Sequence, residues 1–401
     1  MSNDKAKLLA LKAREITNDL LARNIGREKI VRASLLALIS GRPAFFLGSP
    51  GINKTGTVQD LARRIDGAIF YDALMPTVVS VEQLLVESTS IEEVPTDGGG
   101  KEIRTKDTLG RAASAHILFA DEIWKAEARV LQTLLDLSKG DGVRHDGQMV
   151  ETPLMAFIAA SNELPDPEGN LGAMWSRMTL RAVIEPLTAS QKKALVTARM
   201  KRDRGEEGGK KEKFSLEEIK SLRDIRPFVE VPDEIVDIVL AIYRELRDDE
   251  SEDFEWLWSD DRRFGRVFDI MQANALLDGR DKVGKSDLSV LEFLLWDTPE
   301  QIPVVKAKVA PYTRTPLSDA QEVVAALFAP EGAVELASAG NREKVLEAIS
   351  QIEEAEKELE RLKGDADGDE VSGIDNLLAE LSERKQEVVG KILGTKFNVK
   401  K

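Results

Sequence analysis

Gly48-Ser49-Pro50-Gly51-Ile52-Asn53-Lys54-Thr55 follows directly on the apolar run Ala44-Phe45-Phe46-Leu47. A buried strand that empties into a tight loop, with Val58 to Ile65 continuing as a helix, makes a phosphate cradle. Loop N–H groups and the positive end of the helix wrap a polyphosphate. Lys54 is placed to reach the β- and γ-phosphates, and the Thr55 hydroxyl to bind Mg²⁺. The position before the lysine, usually glycine, holds Asn53. The backbone there must pass close to phosphate, and Asn tolerates the needed dihedrals better than most residues.

Ile117-Leu118-Phe119-Ala120-Asp121-Glu122 supplies the second half of a nucleotide site. Four apolar residues predict a buried parallel strand, and two acids stand at its C-terminal end, where open α/β sheets place ligands. Asp121 suits Mg²⁺, directly or through water. Glu122 suits general-base activation of the attacking water. Leu154 to Asn162 reads as a third strand ending in a polar amide. Asn162 is suited to orient the lytic water and to register the γ-phosphate. Arg177 and Arg181 follow, and a guanidinium directed at a neighbour's γ-phosphate is an arginine finger.

Composition narrows the classes. In 401 residues there is room for two or three domains, and 42% apolar with 32% charged content predicts a soluble globular chain. A net charge of −15 disfavours nonspecific binding to nucleic-acid phosphate. With no cysteine, disulfides and thiolate metal sites are excluded, and only His116 and His145 offer imidazole. The N-terminus has no apolar leader and no stretch is long enough to span a bilayer, so the cytoplasm is the expected location.

Along the chain, residues 5–40 predict two helices, one marked by Leu8, Leu9, Leu11, Ile16, Leu20 and Leu21, the other by Val31, Leu35, Leu36 and Ile39. The link Asn24 to Glu28 is placed to contact an adenine ring. Residues 44–186 alternate strands with helices, the pattern of a parallel doubly wound sheet. Val78 to Glu87 interrupts it, followed by a flexible Asp97 to Lys101. Gly142 to Val150 predicts a β-hairpin with Asp146-Gly147 at its turn. Residues 187–300 are helical, broken at Lys201 to Lys213. Heptad-like spacing at Val345, Ala348, Ile352, Ala355, Leu359 and Leu362, and again from Ile374 to Ile392, predicts an antiparallel helical hairpin. Its acidic turn is no calcium loop, because Glu370 and Asn376 stand where glycine and a bidentate glutamate are required.

With these motifs placed, the chain resembles the MoxR family of AAA+ ATPases, and within it the RavA-like branch. The resemblance rests on the Gly48–Thr55 loop, Phe119-Ala120-Asp121-Glu122-Ile123-Trp124-Lys125-Ala126, Ala159-Ala160-Ser161-Asn162-Glu163-Leu164-Pro165, and Gly279-Arg280-Asp281-Lys282-Val283 with the upstream Asp261-Arg262-Arg263-Phe264. It runs from about Leu20 to about Ile302 and lapses beyond. It implies an αβα nucleotide-binding core over 1–186 and an all-α lid over 187–302, while the heptad spacing puts the helical hairpin in an extension over 303–401. It also implies a homohexameric ring with ATP at subunit interfaces.

Residue by residue, the resemblance assigns Gly48, Ser49, Pro50, Gly51, Ile52, Asn53, Lys54 and Thr55 to the phosphates, with Thr55 and Asp121 on Mg²⁺. Glu122 becomes the base, Asn162 sensor 1, Arg177 the trans-acting finger and Arg262 sensor 2, with Arg263 as the fallback. The insert near Val78 to Glu87 and the hairpin near Asp146 resemble pore-facing elements. A von Willebrand factor A-domain protein is the expected partner. The resulting expectation is a ring-forming ATPase that remodels or matures a protein client. A nucleic-acid motor and a non-hydrolysing scaffold are the alternatives; the net charge opposes the first, and the Asp121, Glu122, Asn162 set opposes the second.

Overall fold

From the N-terminus, α1 (Asn3–Arg23) and α2 (Glu28–Ser40) precede β1 (Ala44–Leu47) and α3 (Lys54–Ala62). Then come β2 (Ile65–Asp66), β3 (Phe70–Leu74) and the short α4 (Val81–Leu85). A long hairpin of β4 (Val86–Pro95) and β5 (Lys101–Leu109) leads to β6 (Ile117–Asp121) and α5 (Ala128–Lys139). A smaller hairpin, β7 (Val143–His145) and β8 (Gln148–Val150), precedes β9 (Ala156–Ser161), α6 (Gly172–Trp175) and β10 (Leu180–Val183). This computed structural model describes residues 3–95, 101–140, 142–145, 147–166, 171–204, 212–328, 342–364, 366 and 369–395. The predicted turn residue Asp146, most of the Asp97 to Lys101 loop, and the middle of the Lys201 to Lys213 break lie outside the described residues.

The apolar runs pair in parallel as one five-stranded sheet in the order β10-β1-β9-β6-β3. Every residue of β9 is buried, as are the first four of β6 and the first three of β1. Continuous apolar strands of this kind need helices on both faces of the sheet. α2 packs against β1, β9 and β10. Gly41, with φ 70°, ends α2 in the left-handed conformation and returns its N–H to Ala37 O at 2.9 Å. Phe45, Trp124, Leu134, Phe157 and Met178 belong to the core on the other side of β1.

The order places β9 between β1 and β6. Leu47 lies level with Ser161, and Ala160 with Asp121, so three strand ends finish at the same height. The loop after β1, the acids ending β6 and Asn162 after β9 therefore emerge side by side.

The second half of the first compact unit is helical. It runs through α7 (Ala189–Asp203), β11 (Phe214–Ser215, paired with β2), α8 (Leu216–Ile225), α9 (Asp233–Arg247), α10 (Glu255–Trp258) and α11 (Asp261–Leu277) to a 3₁₀ run, Lys285–Phe293. Ser215 and Glu218 form a capping box that starts α8. Fully buried Asp287 closes the region. Its oxygens accept from both terminal nitrogens of Arg280 at 2.7 Å, from Asn274 Nδ2 at 2.7 Å and from Gly284 N at 2.8 Å.

The units divide between Val309 and Ala310, within α12 (Gln301–Thr313). The second unit is more than the predicted hairpin. α14 (Arg342–Gly364) and α15 (Asp369–Thr395) are joined by α13 (Pro316–Leu327), whose Ala320, Val324 and Leu327 pack on Ile352, Leu359, Ile374 and Leu381. Among the described residues no helix is long and apolar enough to cross a membrane.

Candidate active site

The loop after β1 is shaped by its backbone. Asn53 sits at φ 62°, ψ 36° as the residue before α3, in the left-handed region that side chains other than Asn and Gly disfavour. Gly48 allows close approach: a Cβ there would lie 2.6 Å from Ile52 Cδ1 and 2.7 Å from Ile184 O. Its N–H donates to Ser161 O at 3.1 Å, tying the loop to β9. Lys54 opens α3 and is buried, and its Nζ donates to Gly48 O at 2.6 Å. Burial lowers the Lys54 pKa, partly offset by the charges of Asp121 and then Glu122. Thr55 is the second residue of the same helix.

Glu122 also has a positive φ, 54° with ψ 46°, and its N–H donates to Asp121 Oδ1 at 3.0 Å. A bulky residue held in this region costs about 1–3 kcal/mol, and such strain clusters at functional sites. The conformation turns the chain sharply after Asp121, separating two adjacent acids. Glu122 is not alone: Lys125 Nζ donates to its Oε2 at 3.0 Å. Asp72, on β3 beside β6, is raised in pKa by burial and then by Asp121. Asn162 is exposed just beyond β9, and the next N–H, of Glu163, donates to Ser161 Oγ at 3.3 Å. Lys125 and Asp72 escaped the sequence reading. Lys125 was legible as a lysine three residues from the base, whereas Asp72 reaches the site only through strand pairing.

The four candidate arginines separate cleanly. Arg181 is fully buried and spoken for. It stacks 3.8 Å over the Trp175 ring, donates to the carbonyls of Met178, Trp175 and Trp296, and pairs with Asp297. Burial and then neighbouring Arg263 push its pKa down to about 9. It has no reach toward another molecule. Arg177, four residues earlier, is partly exposed, with Nη1 donating to Ala173 O at 2.8 Å. The second pair repeats the division. Arg263 is buried and donates to Leu294 O at 2.8 Å and Asp260 Oδ2 at 3.2 Å, while Arg262 is exposed in the first turn of α11. Arg181 and the fallback Arg263 are thus both buried and held by partners within the chain.

Beside the loop lies a cavity of 630 Å³, walled by Leu20, Ile25, Leu187 and Leu195 with Asn24 and the Gly51–Asn53 backbone. Its size and mixed lining suit a purine base and ribose, whose binding pockets span roughly 300–1,000 Å³. Buried Arg27 braces it by donating from Nε to Ile52 O at 2.7 Å and from Nη1 to Glu185 O at 3.2 Å. It thereby joins the phosphate loop to the entry of the helical region. Among the described residues no three His, Asp or Glu side chains gather into a metal cage. A cation here would depend on Asp121, Thr55 and the phosphates themselves, and a hydroxyl with one carboxylate fits Mg²⁺, which keeps several waters.

Comparisons with known proteins identify two family models along the chain. Residues 11–224 match the family model of the MoxR domain in the MoxR-vWA-beta-propeller ternary systems, and residues 234–309 match an AAA lid domain. Two uncharacterized proteins of Methanocaldococcus jannaschii are each 25% identical. One aligns over 74% of both chains, the other over 73% of this chain and 72% of its own length. A crystal structure of a candidate ATPase from Cytophaga hutchinsonii superposes with a TM-score of 0.54 at 14% identity. It covers 77% of this chain and 96% of that one, and at such identity it speaks to the fold alone.

Proposed function

This chain belongs to the MoxR family of AAA+ ATPases, and from that premise we propose that it hydrolyses ATP in a ring of its own copies to remodel or mature a protein client. The observation that carries the proposal is the meeting of Lys54, the Asp121–Glu122 pair and Asn162 at one edge of three adjacent parallel strands.

In this scheme the Gly48–Asn53 backbone and Lys54 hold the polyphosphate, and the cavity beside Asn24 and Ile25 holds the base. Thr55 and Asp121 would hold Mg²⁺, which neutralises charge on the β- and γ-oxygens when bound. Glu122 takes a proton from the attacking water, and Lys125 orients its carboxylate. Asn162 positions the same water. Arg262 reaches the γ-phosphate from the lid (187–302). Arg177 serves a neighbouring copy, where a guanidinium stabilises charge that develops only during transfer. The insert over Val78 to Glu87, which folds as α4 and the start of β4, and the β7–β8 hairpin grip the client. The name of the matching domain model favours a von Willebrand factor A-domain partner.

Two variants test the enzyme. Lys54→Ala should lose ATP binding. Glu122→Gln should bind ATP while phosphate release falls by about 10²–10⁴-fold, the usual worth of a general base. Near wild-type turnover in Glu122→Gln would overturn the assignment of the base.

A further inference from the structure

One turn of the helical region holds both ends of the segment that carries Arg177. Trp175 Nε1 donates to Asp297 Oδ1 at 3.0 Å. Arg181 pairs with the same oxygen and donates to Trp296 O. It also reaches back to Trp175 O at 2.9 Å and Met178 O at 2.9 Å. Trp175 and Met178 flank Arg177. Its own N–H is fixed on Met174 O at 3.0 Å, so the backbone that presents the guanidinium is set from both sides. On the far side of the turn, Leu294 O accepts from Arg263 at 2.8 Å, and Arg263 follows Arg262 on α11. Leu294–Asp297 therefore contacts both buried arginines, Arg181 near Arg177 and Arg263 next to Arg262.

We propose that Asp297, acting through Trp175 and Arg181, is a positioning residue for Arg177. By this device the lid of one copy sets the aim of the arginine that the copy presents to its neighbour. The proposal rests on Arg177 acting across an interface. The physical basis is that a guanidinium stabilises a transition state only when held in place, and a displacement of about 1 Å costs on the order of 10²-fold in rate. Asp297 is suited to the role because a single carboxylate oxygen takes both the indole N–H and the guanidinium, so neither can shift without the other. The buried charge of Arg181 makes the arrangement all-or-none, since an unpaired guanidinium in the core is strongly disfavoured.

The test uses Asp297→Asn, which keeps the shape, and Trp175→Phe, which removes the indole donor and leaves a smaller ring beneath Arg181. Both should lower kcat by about 10–100-fold with KM and ATP affinity held within about twofold. Mixing subunits then separates a role in trans from one in cis. Arg177→Ala mixed with Lys54→Ala is the control, and it should regain activity with a maximum near equal ratios. Asp297→Asn with Lys54→Ala should regain activity likewise. Asp297→Asn with Arg177→Ala should not, because both lack a working finger.

Rescue in that last mixture would place the Asp297 defect in its own nucleotide site and overturn the inference. Loss of ATP affinity in both Asp297→Asn and Trp175→Phe would do the same. Failure of the control mixture would instead refute Arg177 as a finger in trans, and with it the role given to Asp297. If Asp297→Asn does not fold, Trp175→Phe carries the same three mixtures.

Discussion

Asn53 is the position where this chain departs from the usual phosphate loop, and its geometry sets a quantitative expectation. With φ 62° and ψ 36°, the residue is left-handed. Alanine in that region costs about 1–2 kcal/mol relative to right-handed backbone, and Asn recovers part of this. Asn53→Ala should therefore weaken ATP binding by about 1 kcal/mol, roughly fivefold. Asn53→Gly removes the steric cost but adds backbone entropy of roughly 0.5–1 kcal/mol, so affinity should stay within about twofold.

The side chain adds a second, independent handle. A Cβ placed on Gly56 would lie 2.2 Å from Asn53 Oδ1, 3.0 Å from its Cγ and 3.2 Å from its Nδ2. Gly56→Ala alone must push the amide off its rotamer at about 0.5–1.5 kcal/mol, cancelling the helical gain of alanine over glycine. In the Asn53→Gly background the three nearest obstacles are gone, and the same change should stabilise by roughly 0.5–1 kcal/mol. Urea unfolding of the wild type, Asn53→Gly, Gly56→Ala and their double variant completes the cycle, and calorimetry gives the ATP affinity of these and of Asn53→Ala. Equal affinities for Asn53→Ala and Asn53→Gly, with zero coupling to Gly56, would refute the reasoning.

Three further outcomes are expected. Asp287→Ala removes a fully buried carboxylate from Arg280 and Asn274; the urea midpoint should fall at unchanged slope, corresponding to a loss of about 3 kcal/mol in unfolding free energy. Burial, and next Lys220, hold the His116 imidazole below its ordinary pKa, and its Nδ1 accepts the Ile69 N–H at 3.0 Å. The unfolded chain thus takes up the proton first. The stability is fully present above about 6.5 and is lost as pH falls from there toward the folded value. His116→Gln should flatten the Tm difference between neutral and mildly acidic buffer, and an unflattened difference counts against it. Asp107 Oδ2 lies 3.1 Å from His145 Nε2, joining the β4–β5 hairpin to β7–β8. Asp107→Ala should speed amide exchange in β7–β8 while α5 keeps its protection, and uniform protection would strip that contact of weight.

The parts of the fold that the sequence disclosed are those where local pattern and burial coincide. Phe45, Phe46 and Leu118 to Ala120 are apolar because parallel strands are covered on both faces, so the phosphate loop and the acids stood out at their ends. The β4–β5 hairpin did not. Ser88 to Ile91 and Thr105 to Thr108 hold many β-branched residues around a Gly-rich turn, a strand signal, but charges on both strands obscured it. The arginines mark the limit more sharply. Residue type and spacing alone do not separate Arg177 from Arg181, or Arg262 from Arg263; only the family resemblance favours Arg177 and Arg262. Which of each pair is buried depends on Asp297 and Leu294, more than a hundred residues from Arg181 and about thirty from Arg263, and no local spacing encodes that.

The aromatic side chains behind the site carry a practical consequence. Phe45 lies 5.3 Å from both Trp124 and Trp175, which are 6.0 Å apart, and Trp296 is 6.3 Å from Trp175. Trp124 is two residues from Glu122, and Trp175 two from Arg177. Three of the five tryptophans thus form one optical cluster, close enough for excitation to pass between rings. The protein is its own fluorophore. Emission intensity and anisotropy should follow the Asp297 turn in real time as nucleotide is added, without any attached dye.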